Sequence, residues 1–342
     1  MRVTVRSFAK INLGLRIGPL RPDGFHELRT VYQTIGLHDL VRLEVTKGSG
    51  IEIRCADLRV PTDESNTCFG TVESAMAALK ARGRVVIEIE KRLPVQGGLG
   101  GASGNAVAAV LALELALKKR LPGPERLRIA AQVGSDLPLF VIGGTVLGVG
   151  HGEEVYPVPD LPPTVCIIAT PAVGVSTPKA FAAWDGMSAT RSSAGAPGSK
   201  PAKLTLPRAS DRMLEFGYTV SAWLSEYSQQ KAGGALSGVP ARGRGRAETP
   251  LLDLVHTGIE NDFEQVVFPQ YPELRQVKNL LLQTGAFYAS LSGSGSAIYG
   301  LFPSRAAAEK AVATLKNQGT SAAVTTTLTR PQYWRKFLVS SF

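Results

Sequence analysis

The sequence has little of what marks several large classes of protein. Its 342 residues include only three cysteines and no C-x-x-C pair, which argues against a disulfide framework and against a cysteine zinc site. The four histidines share no metal-ligand spacing, and no Gly-x-Ser-x-Gly elbow is present to support a hydrolase triad. The longest apolar runs, such as residues 165–169, are far too short to span a bilayer, and the first ten residues are too mixed for a signal peptide. We therefore expect a soluble cytoplasmic protein without a membrane partner.

Charge is scarce as well. Charged residues make up 19% of the chain, against about a quarter in typical globular domains. Lys and Arg number 38 while Asp and Glu number 28, so the net charge is +10. A basic balance suits an anionic small molecule, nucleic acid or a membrane surface. Half of the excess lies in residues 186–250, where aromatic and basic residues do not interleave, so nucleic acid is the weaker alternative.

The length predicts two domains. A proline-rich stretch at 157–163 marks the boundary, which gives an N-terminal domain at 1–160 and a C-terminal domain at 161–342. Residues 186–250 are rich in Ser, Ala, Gly, Pro and Arg, which predicts a flexible insert in the second domain. Strand and helix patterns interleave without a regular βαβ rhythm, so the predicted class is α+β. Residues 140–149 are predicted to form a glycine-containing strand.

The most informative segment is residues 94–106, which contain five glycines and precede a helix predicted over about 103–118. Glycines let a ligand approach the main chain closely, and the start of a helix directs its free N–H groups and the positive end of its dipole towards that ligand. The segment lacks the lysine of a Walker loop, and Ser103 stands where the dinucleotide fingerprint needs its third glycine. The segment therefore predicts a different phosphate-binding loop. The alternative is a flexible turn, with Ser103 and Asn105 as simple helix caps.

Two charged residues lie in apolar surroundings. Lys10 follows Phe8-Ala9 in a strand-like stretch, and Asp136 belongs to the segment Gly-Ser-Asp-Leu-Pro-Leu-Phe at 134–140. Lys10 alone could be an edge-strand lysine with its ammonium group in water, and Asp136 alone could be a turn or cap residue. Together they match what phosphate transfer to an alcohol needs. A carboxylate orients the hydroxyl and accepts its proton, while an ammonium group stabilises charge on the reacting oxygen.

Three separated motifs together resemble the GHMP kinases, named for galactokinase, homoserine kinase, mevalonate kinase and phosphomevalonate kinase. They are Ala-Lys-Ile-Asn-Leu at 9–13, the glycine-rich segment at 94–106, and Leu-Ser-Gly-Ser-Gly-Ser-Ala at 291–297. Further segments resemble the members that phosphorylate a cytidine diphosphate of methylerythritol in the non-mevalonate isoprenoid pathway. These are residues 21–28, 134–140, 177–181 and 260–264. The likeness covers nearly the whole chain except about 186–250.

The resemblance implies two lobes with the active site in the cleft between them, and ATP and Mg²⁺ as cofactors. Lys10 and Asp136 match the family's catalytic pair. The positions that match ATP-binding residues are Asn66, Pro94, Val95, Gln96, Gly97, Gly98, Leu99, Gly100, Gly101, Ala102, Ser103, Gly104 and Asn105. The positions that match substrate-binding residues are Asn12, Phe25, His26, Thr177 and Phe181. The expected reaction moves phosphate to the 2-hydroxyl of the cytidine diphosphate substrate.

Within this resemblance, the adenine is expected near Asn66 and the cytosine between Phe25 and Phe181, with His26 reading the base edge. Ser103 is the candidate for approaching Mg²⁺, and the metal ligands are otherwise unknown. The family usually has tyrosine where Phe25 stands, and its Gly-Arg-Gly-Glu appears here as Gly-His-Gly-Glu at 150–153.

Two alternatives stay open at this point. One is a GHMP kinase for homoserine or mevalonate, which the segment at 21–28 disfavours because those substrates offer no base to stack. The other is a nucleotide-binding protein without catalysis, which the presence of both Lys10 and Asp136 disfavours. The sequence leaves the oligomeric state and the role of residues 186–250 undetermined.

Overall fold

The fold contains two β-sheets and the helices that cover them, in a computed structural model that describes residues 1–193, 212–218, 220–221 and 259–339. The predicted α+β class is confirmed. The strands of the first sheet end at residue 157 and those of the second begin at residue 165, so the proposed domain boundary near 160 falls between them. None of the described helices is long and apolar enough to cross a membrane.

The first part of the chain runs through six strands and four helices of the described structure. In order they are β1 (Arg2–Leu20), β2 (His26–Thr46), β3 (Ile51–Cys55), α1 (Thr67–Ala78), β4 (Arg84–Glu90), α2 (Gly101–Leu117), α3 (Gly123–Val133), α4 (Leu137–Ile142), β5 (Thr145–Val149) and β6 (Glu154–Pro157).

The second part has four further strands among the described residues. In order its elements are β7 (Val165–Thr170), α5 (Thr177–Ser193), α6 (Glu264–Gln270), α7 (Pro272–Gln283), β8 (Tyr288–Leu291), β9 (Ile298–Phe302), α8 (Arg305–Asn317), β10 (Ser321–Thr326) and α9 (Arg330–Phe337). Residues 212–218 and 220–221 are also helical.

The first sheet is built around a long antiparallel hairpin of β1 and β2. Strand β2 also pairs with β4 and β5, and the sheet order is β3-β4-β2-β5-β6 with β1 beside β2. Helix α2 packs on this sheet and is buried on every side from Gly104 to Glu114, which suits its Ala- and Leu-rich sequence. The β1–β2 register shifts between Phe8 and Ala9 and again between Asn12 and Gly14. Such bulges redirect side chains, and these two enclose Lys10.

The second sheet has the order β10-β7-β9-β8, with antiparallel pairing throughout. It meets strand β1 through one tyrosine of β8, which is partly buried, and one of β9, which is fully buried. The hydroxyl of Tyr299 donates to the carbonyl of Asn12 (2.8 Å), and that of Tyr288 donates to the carbonyl of Leu13 (3.1 Å). Strand β1 therefore touches both sheets, so its residues lie at the junction of the two halves.

One prediction about secondary structure needs correction. Residues 140–149 are not one strand: helix α4 occupies 137–142, and β5 begins only at 145. The reason is local, because Pro138 suits the first turn of a helix, while Gly143 and Gly144 both adopt positive φ and end it. Strand β6 and helix α9 were not predicted. Helix α5 extends into the predicted insert as far as Ser193.

Most of the remainder of the predicted insert lies outside the described residues, apart from 212–218 and 220–221. The sequence also predicts a helix at 250–256, which lies outside the part of the chain that the structure describes.

Candidate active site

The glycine-rich segment forms a tight loop between β4 and α2. Gln96, Gly98 and Gly100 have positive φ values of 59°, 72° and 68°. A Cβ on Gly98 would collide with the carbonyl oxygen of Ser292, and one on Gly100 would lie 2.9 Å from the ring of Phe140. Only glycine combines this backbone with this close approach. The loop is therefore tightly packed, which contradicts the alternative of a flexible turn.

Helix α2 begins at Gly101, and its N-cap residue is Gly100. No side chain of the described residues caps this helix start, so Ser103 and Asn105 are not its caps. The first N–H groups of a helix have no partner within the helix, and together with the helix dipole they attract anions. The loop and helix start can therefore receive phosphate.

The motif at 291–297 packs directly on the glycine-rich loop. The Ser292 hydroxyl donates to the Gly98 carbonyl (2.9 Å), and the Ala297 N–H donates to the Gly97 carbonyl (3.1 Å). On the other side, the Lys10 N–H donates to the Leu99 carbonyl (3.0 Å). The loop is thus held from both halves of the molecule, and backbone groups supply most of the contacts.

The structure brings Lys10 and Asp136 together. Lys10 is only 3% exposed, and its Nζ lies 3.2 Å from Oδ2 of Asp136. The same Nζ donates to Oδ1 of Asn12 (2.7 Å), whose amide donates in turn to the hydroxyl of Thr30 (2.8 Å). Lys10 is therefore not an edge-strand lysine with its head in water. Its ammonium group is desolvated and held at a defined position.

Asp136 stands at the start of α4, but its side chain does not cap that helix. It is 32% exposed, and its Oδ1 accepts a hydrogen bond from the hydroxyl of Tyr32 (2.9 Å). Burial, followed by the neighbouring Asp136 carboxylate, raises the pKa of Tyr32 well above its usual value, so the phenol stays protonated as a donor. Both carboxylate oxygens have a partner, and the side chain still reaches a cavity.

A cleft of about 380 Å³ lies on one side of the loop. All the residues predicted to bind ATP line it except Gly104. Gly104 packs α2 against β1 instead, since a Cβ there would lie 2.9 Å from the Ser7 hydroxyl. Asn66 is the N-cap of α1: its Oδ1 accepts from the N–H of Cys68 (2.9 Å), and its amide donates to the carbonyl of Pro61 (2.6 Å). Asn66 therefore shapes the cleft wall with a side chain that is already engaged.

A second cavity, of about 710 Å³, lies on the other side of the loop. It holds Lys10 and Asp136 and is lined by all five residues predicted to bind the substrate. Those five are Asn12, Phe25, His26, Thr177 and Phe181. Gly98, Gly100 and Ser103 line both cavities. The two spaces therefore meet at the glycine-rich loop, beside the lysine–aspartate pair.

The aromatic rings of the larger cavity are arranged in pairs. His26 stacks on Phe181 with centroids 5.2 Å apart and planes 5° apart, while Phe25 is 57% exposed and lies against His151 at 5.0 Å. Nδ1 of His26 lies 3.0 Å from the carbonyl of Gly18. Its buried Nε2 is 3.0 Å from a carboxylate oxygen of Asp185 without hydrogen-bond alignment, and it has no hydrogen-bond partner among the described residues. A cytosine between Phe25 and Phe181 stays a prediction.

Comparison with known proteins places this chain among the GHMP kinases. The family models described as the GHMP kinases N terminal domain and GHMP kinases C terminal match residues 66–144 and 248–321. The chain is 36% identical to the 4-diphosphocytidyl-2-C-methyl-D-erythritol kinase of Solibacter usitatus, over 90% of this chain and 84% of the relative. It is 32% identical to the kinase of the same description from Desulfitobacterium hafniense, over 96% of this chain and 97% of the relative.

The chain belongs to the 4-diphosphocytidyl-2-C-methyl-D-erythritol kinase family of GHMP kinases. The crystal structure of a 4-(cytidine 5'-diphospho)-2C-methyl-D-erythritol kinase is similar to it with a TM-score of 0.67 and 26% identity, covering 96% of this chain and 99% of that chain. The homoserine kinase of Cytophaga hutchinsonii reaches the same TM-score at 21% identity, with 96% and 95% coverage, and so shares the fold. The backbone alone therefore does not distinguish the substrates that name these two kinases.

Several residues of this GHMP kinase site were not predicted from the sequence. Tyr32 holds Asp136, and Lys91 lines the smaller cleft. His151 lines the larger cavity, where its Nδ1 lies 2.8 Å from the Ser135 hydroxyl. The departure from the family motif at 150–153 was a signal for His151, whereas no local pattern marked Tyr32 or Lys91. Among the described residues, no cluster of three or more His, Cys, Asp or Glu is placed to hold a metal ion.

Proposed function

We propose that this chain transfers the γ-phosphate of ATP to the 2-hydroxyl of 4-diphosphocytidyl-2-C-methyl-D-erythritol, with release of ADP, in the non-mevalonate isoprenoid pathway. The observation that carries the proposal is the meeting of two cavities at Gly98, Gly100 and Ser103, beside the Lys10–Asp136 pair. Phosphate transfer requires a donor and an acceptor on either side of one anion-binding point. The names of the relatives supply the identity of the acceptor.

The nucleotide belongs in the smaller cleft. Its phosphates would lie against the N–H groups of the glycine-rich loop and the first turn of α2, where the uncapped helix start favours negative charge. Its adenine would extend towards the wall that Asn66 shapes. GHMP kinases use ATP as the phosphate donor, which agrees with this orientation.

The reacting hydroxyl belongs beside Asp136. Each oxygen of an ionised carboxylate has two lone pairs, and the recorded partners Lys10 and Tyr32 use one each. Two acceptor positions therefore remain on the carboxylate, and one of them can orient the 2-hydroxyl and accept its proton as the oxygen attacks phosphorus. The buried ammonium group of Lys10 would stabilise the charge that develops on the reacting oxygens. Tyr32 would keep the carboxylate in place.

The cytidine end of the acceptor belongs at the far end of the larger cavity. Exposed Phe25 and the stacked pair of His26 and Phe181 offer flat surfaces to a base, and such stacking contributes about 1–3 kcal/mol per base. Nε2 of His26 makes no aligned hydrogen bond, although a carboxylate oxygen of Asp185 lies 3.0 Å from it, and it can read the base edge. His151 touches Phe25 on one side and Ser135, next to Asp136, on the other, so the diphosphate would pass beside it.

Mg²⁺ is part of the proposal because it neutralises the β- and γ-phosphates during transfer. It is usually held by phosphate oxygens together with one or two protein oxygen ligands. Ser103 lines both cavities and Asp136 lines the larger one, and their oxygens are of the kind that Mg²⁺ accepts.

A cytoplasmic location is also proposed, since all three cysteines are unpaired, as in proteins of reducing compartments.

A comparison of three alcohols tests the proposal. The purified protein, supplied with ATP and Mg²⁺, is assayed for ADP release with 4-diphosphocytidyl-2-C-methyl-D-erythritol, homoserine and mevalonate. Only the first offers a base to the aromatic wall, so we expect its kcat/KM to exceed the others by roughly 100-fold or more. Mass spectrometry of the product would show one added phosphoryl group. Equal or better turnover of homoserine or mevalonate would refute the substrate assignment.

A further inference from the structure

A second buried carboxylate lies behind the glycine-rich loop, outside both reacting groups. Asp39 is on strand β2 and is fully buried. Its Oδ1 accepts from the N–H groups of Arg92 and Leu93, each at 2.7 Å. Its Oδ2 accepts from Nζ of Lys91 at 2.6 Å and from the side-chain amide of Asn105 at 3.1 Å. One carboxylate therefore collects four donors.

These four donors lie on the two flanks of the glycine-rich loop. Arg92 and Leu93 immediately precede the loop, and Asn105 is in the first turns of α2, immediately after it. A buried carboxylate is unfavourable unless it is paired and hydrogen-bonded, and Asp39 satisfies both conditions with groups from these flanks alone. The distance between the start and the end of the loop is thus set through one side chain.

Asp39 also determines where the ammonium group of Lys91 lies. Lys91 lines the smaller cleft, and its Nζ lies 3.1 Å from the position that a Cβ on Gly101 would take. The positive charge therefore stands at the start of α2, on the nucleotide side of the loop. Without the hydrogen bond to Asp39, the long side chain of Lys91 would sample many rotamers, and its ammonium group would not be held at this position.

We propose that Asp39 is a positioning residue for the nucleotide. It joins the two flanks of the loop so that the N–H groups between them converge on phosphate, and it holds Lys91 at the edge of the nucleotide cleft. This inference rests on the proposed binding of ATP by the loop. It assigns to Asp39 a role in ATP binding that is separate from acceptor binding, because none of its four partners lines the larger cavity.

The test is the substitution Asp39→Asn, which keeps the size of the side chain but removes its charge and replaces one acceptor oxygen with a donor. We expect KM for ATP to rise roughly tenfold or more, because charge-assisted hydrogen bonds at the loop flanks are lost. KM for the cytidine substrate should stay within about twofold, because its cavity is untouched. Calorimetric titration with a non-hydrolysable ATP analogue should show a matching loss of affinity without any turnover.

A matched control is Asp160→Asn. Asp160 accepts from the backbone N–H groups of Thr145 and Arg330, and it lines neither cavity. This variant is expected to lose stability while keeping both KM values. If Asp39→Asn behaves like Asp160→Asn, Asp39 is only a support of the core and the inference is wrong.

A second variant keeps the inference testable if Asp39→Asn does not fold. Asn105→Ala removes the link between Asp39 and α2 together with an amide that lines the smaller cleft. It should raise KM for ATP about threefold, whereas an unchanged KM would overturn the inference. The outcome is separable from the proposed function. Failure of the unaltered protein to phosphorylate the cytidine substrate would refute the function. Normal turnover, together with an ATP affinity that neither Asp39→Asn nor Asn105→Ala changes, would refute only this inference.

Discussion

Two lysine–aspartate pairs flank the same loop, and they differ in the surroundings of the carboxylate. Lys10 and Asp136 are 3.2 Å apart, and Asp136 has two protein partners and faces the larger cavity. Lys91 and Asp39 are 2.6 Å apart, and Asp39 is fully buried with four donors. In the proposed function, the same two residue types take part in the reaction where the carboxylate faces a cavity, and support the structure where all its acceptor positions are occupied by protein donors.

The largest effect is expected from Asp136→Asn, which removes the proposed proton acceptor. We expect kcat to fall about 10³- to 10⁴-fold, near the upper limit for general-base catalysis, while KM for ATP changes little. Steady-state ADP release measures both parameters. Asp39→Asn is the counterpart, and it should act mainly on KM for ATP. A variant of Asp136 that turns over as fast as the unaltered protein would end the distinction between the two pairs.

The two lysines give the next largest contrast. Lys10→Met should lower kcat about 10²- to 10³-fold, because the substitution keeps the apolar stem and removes the charge beside the reacting oxygens. Lys91→Met should leave kcat within a fewfold and raise KM for ATP instead, because Lys91 lines only the smaller cleft. The comparison fails if both substitutions change the same kinetic parameter by similar factors.

The smallest of the three effects concerns two buried tyrosines. The Tyr32 hydroxyl donates to Asp136 at 2.9 Å, and the Tyr333 hydroxyl donates to the carbonyl of Phe140 at 2.8 Å. Tyr32→Phe should lower kcat roughly tenfold, because a hydrogen bond to a charged group is lost.

Tyr333→Phe is the control for this substitution, since it loses a hydrogen bond of similar length to a neutral acceptor. It should reduce the free energy of unfolding by about 1 kcal/mol and leave kcat unchanged. Urea denaturation and initial rates measure the two quantities. If Tyr32→Phe, like Tyr333→Phe, lowers the free energy of unfolding and leaves kcat unchanged, Tyr32 does not position the carboxylate.

The sequence was sufficient for features whose cause is local. The glycine-rich loop could be predicted because left-handed φ values and close backbone contacts demand glycine at Gly98 and Gly100. Helix α2 could be predicted because its uninterrupted Ala- and Leu-rich pattern has the length of a core helix. The pairing of Lys10 with Asp136 could be predicted because both match the catalytic pair of the family that the sequence resembles.

Features that depend on long-range register could not be predicted. The amide of Asn105 meets Asp39 across 66 residues, and the hydroxyl of Tyr32 meets Asp136 across 104 residues. Neither pairing leaves a periodic signal, because it is decided by how β2 packs against α2 and α4. The strand predicted at 140–149 was wrong for a different, local reason, since a short apolar run fits a helix and a strand equally well.

The contact between the two glycine-containing motifs has a consequence for how the chain can be divided. Gly98 lies against the backbone of Ser292, and Gly97 accepts a hydrogen bond from Ala297. The glycine-rich loop therefore packs on residues that lie almost two hundred positions later in the sequence. A truncated N-terminal half, expressed by itself, would carry every predicted ATP-binding residue and still lack the surface against which the loop takes its shape. The proposed nucleotide site therefore needs residues from both halves of the chain.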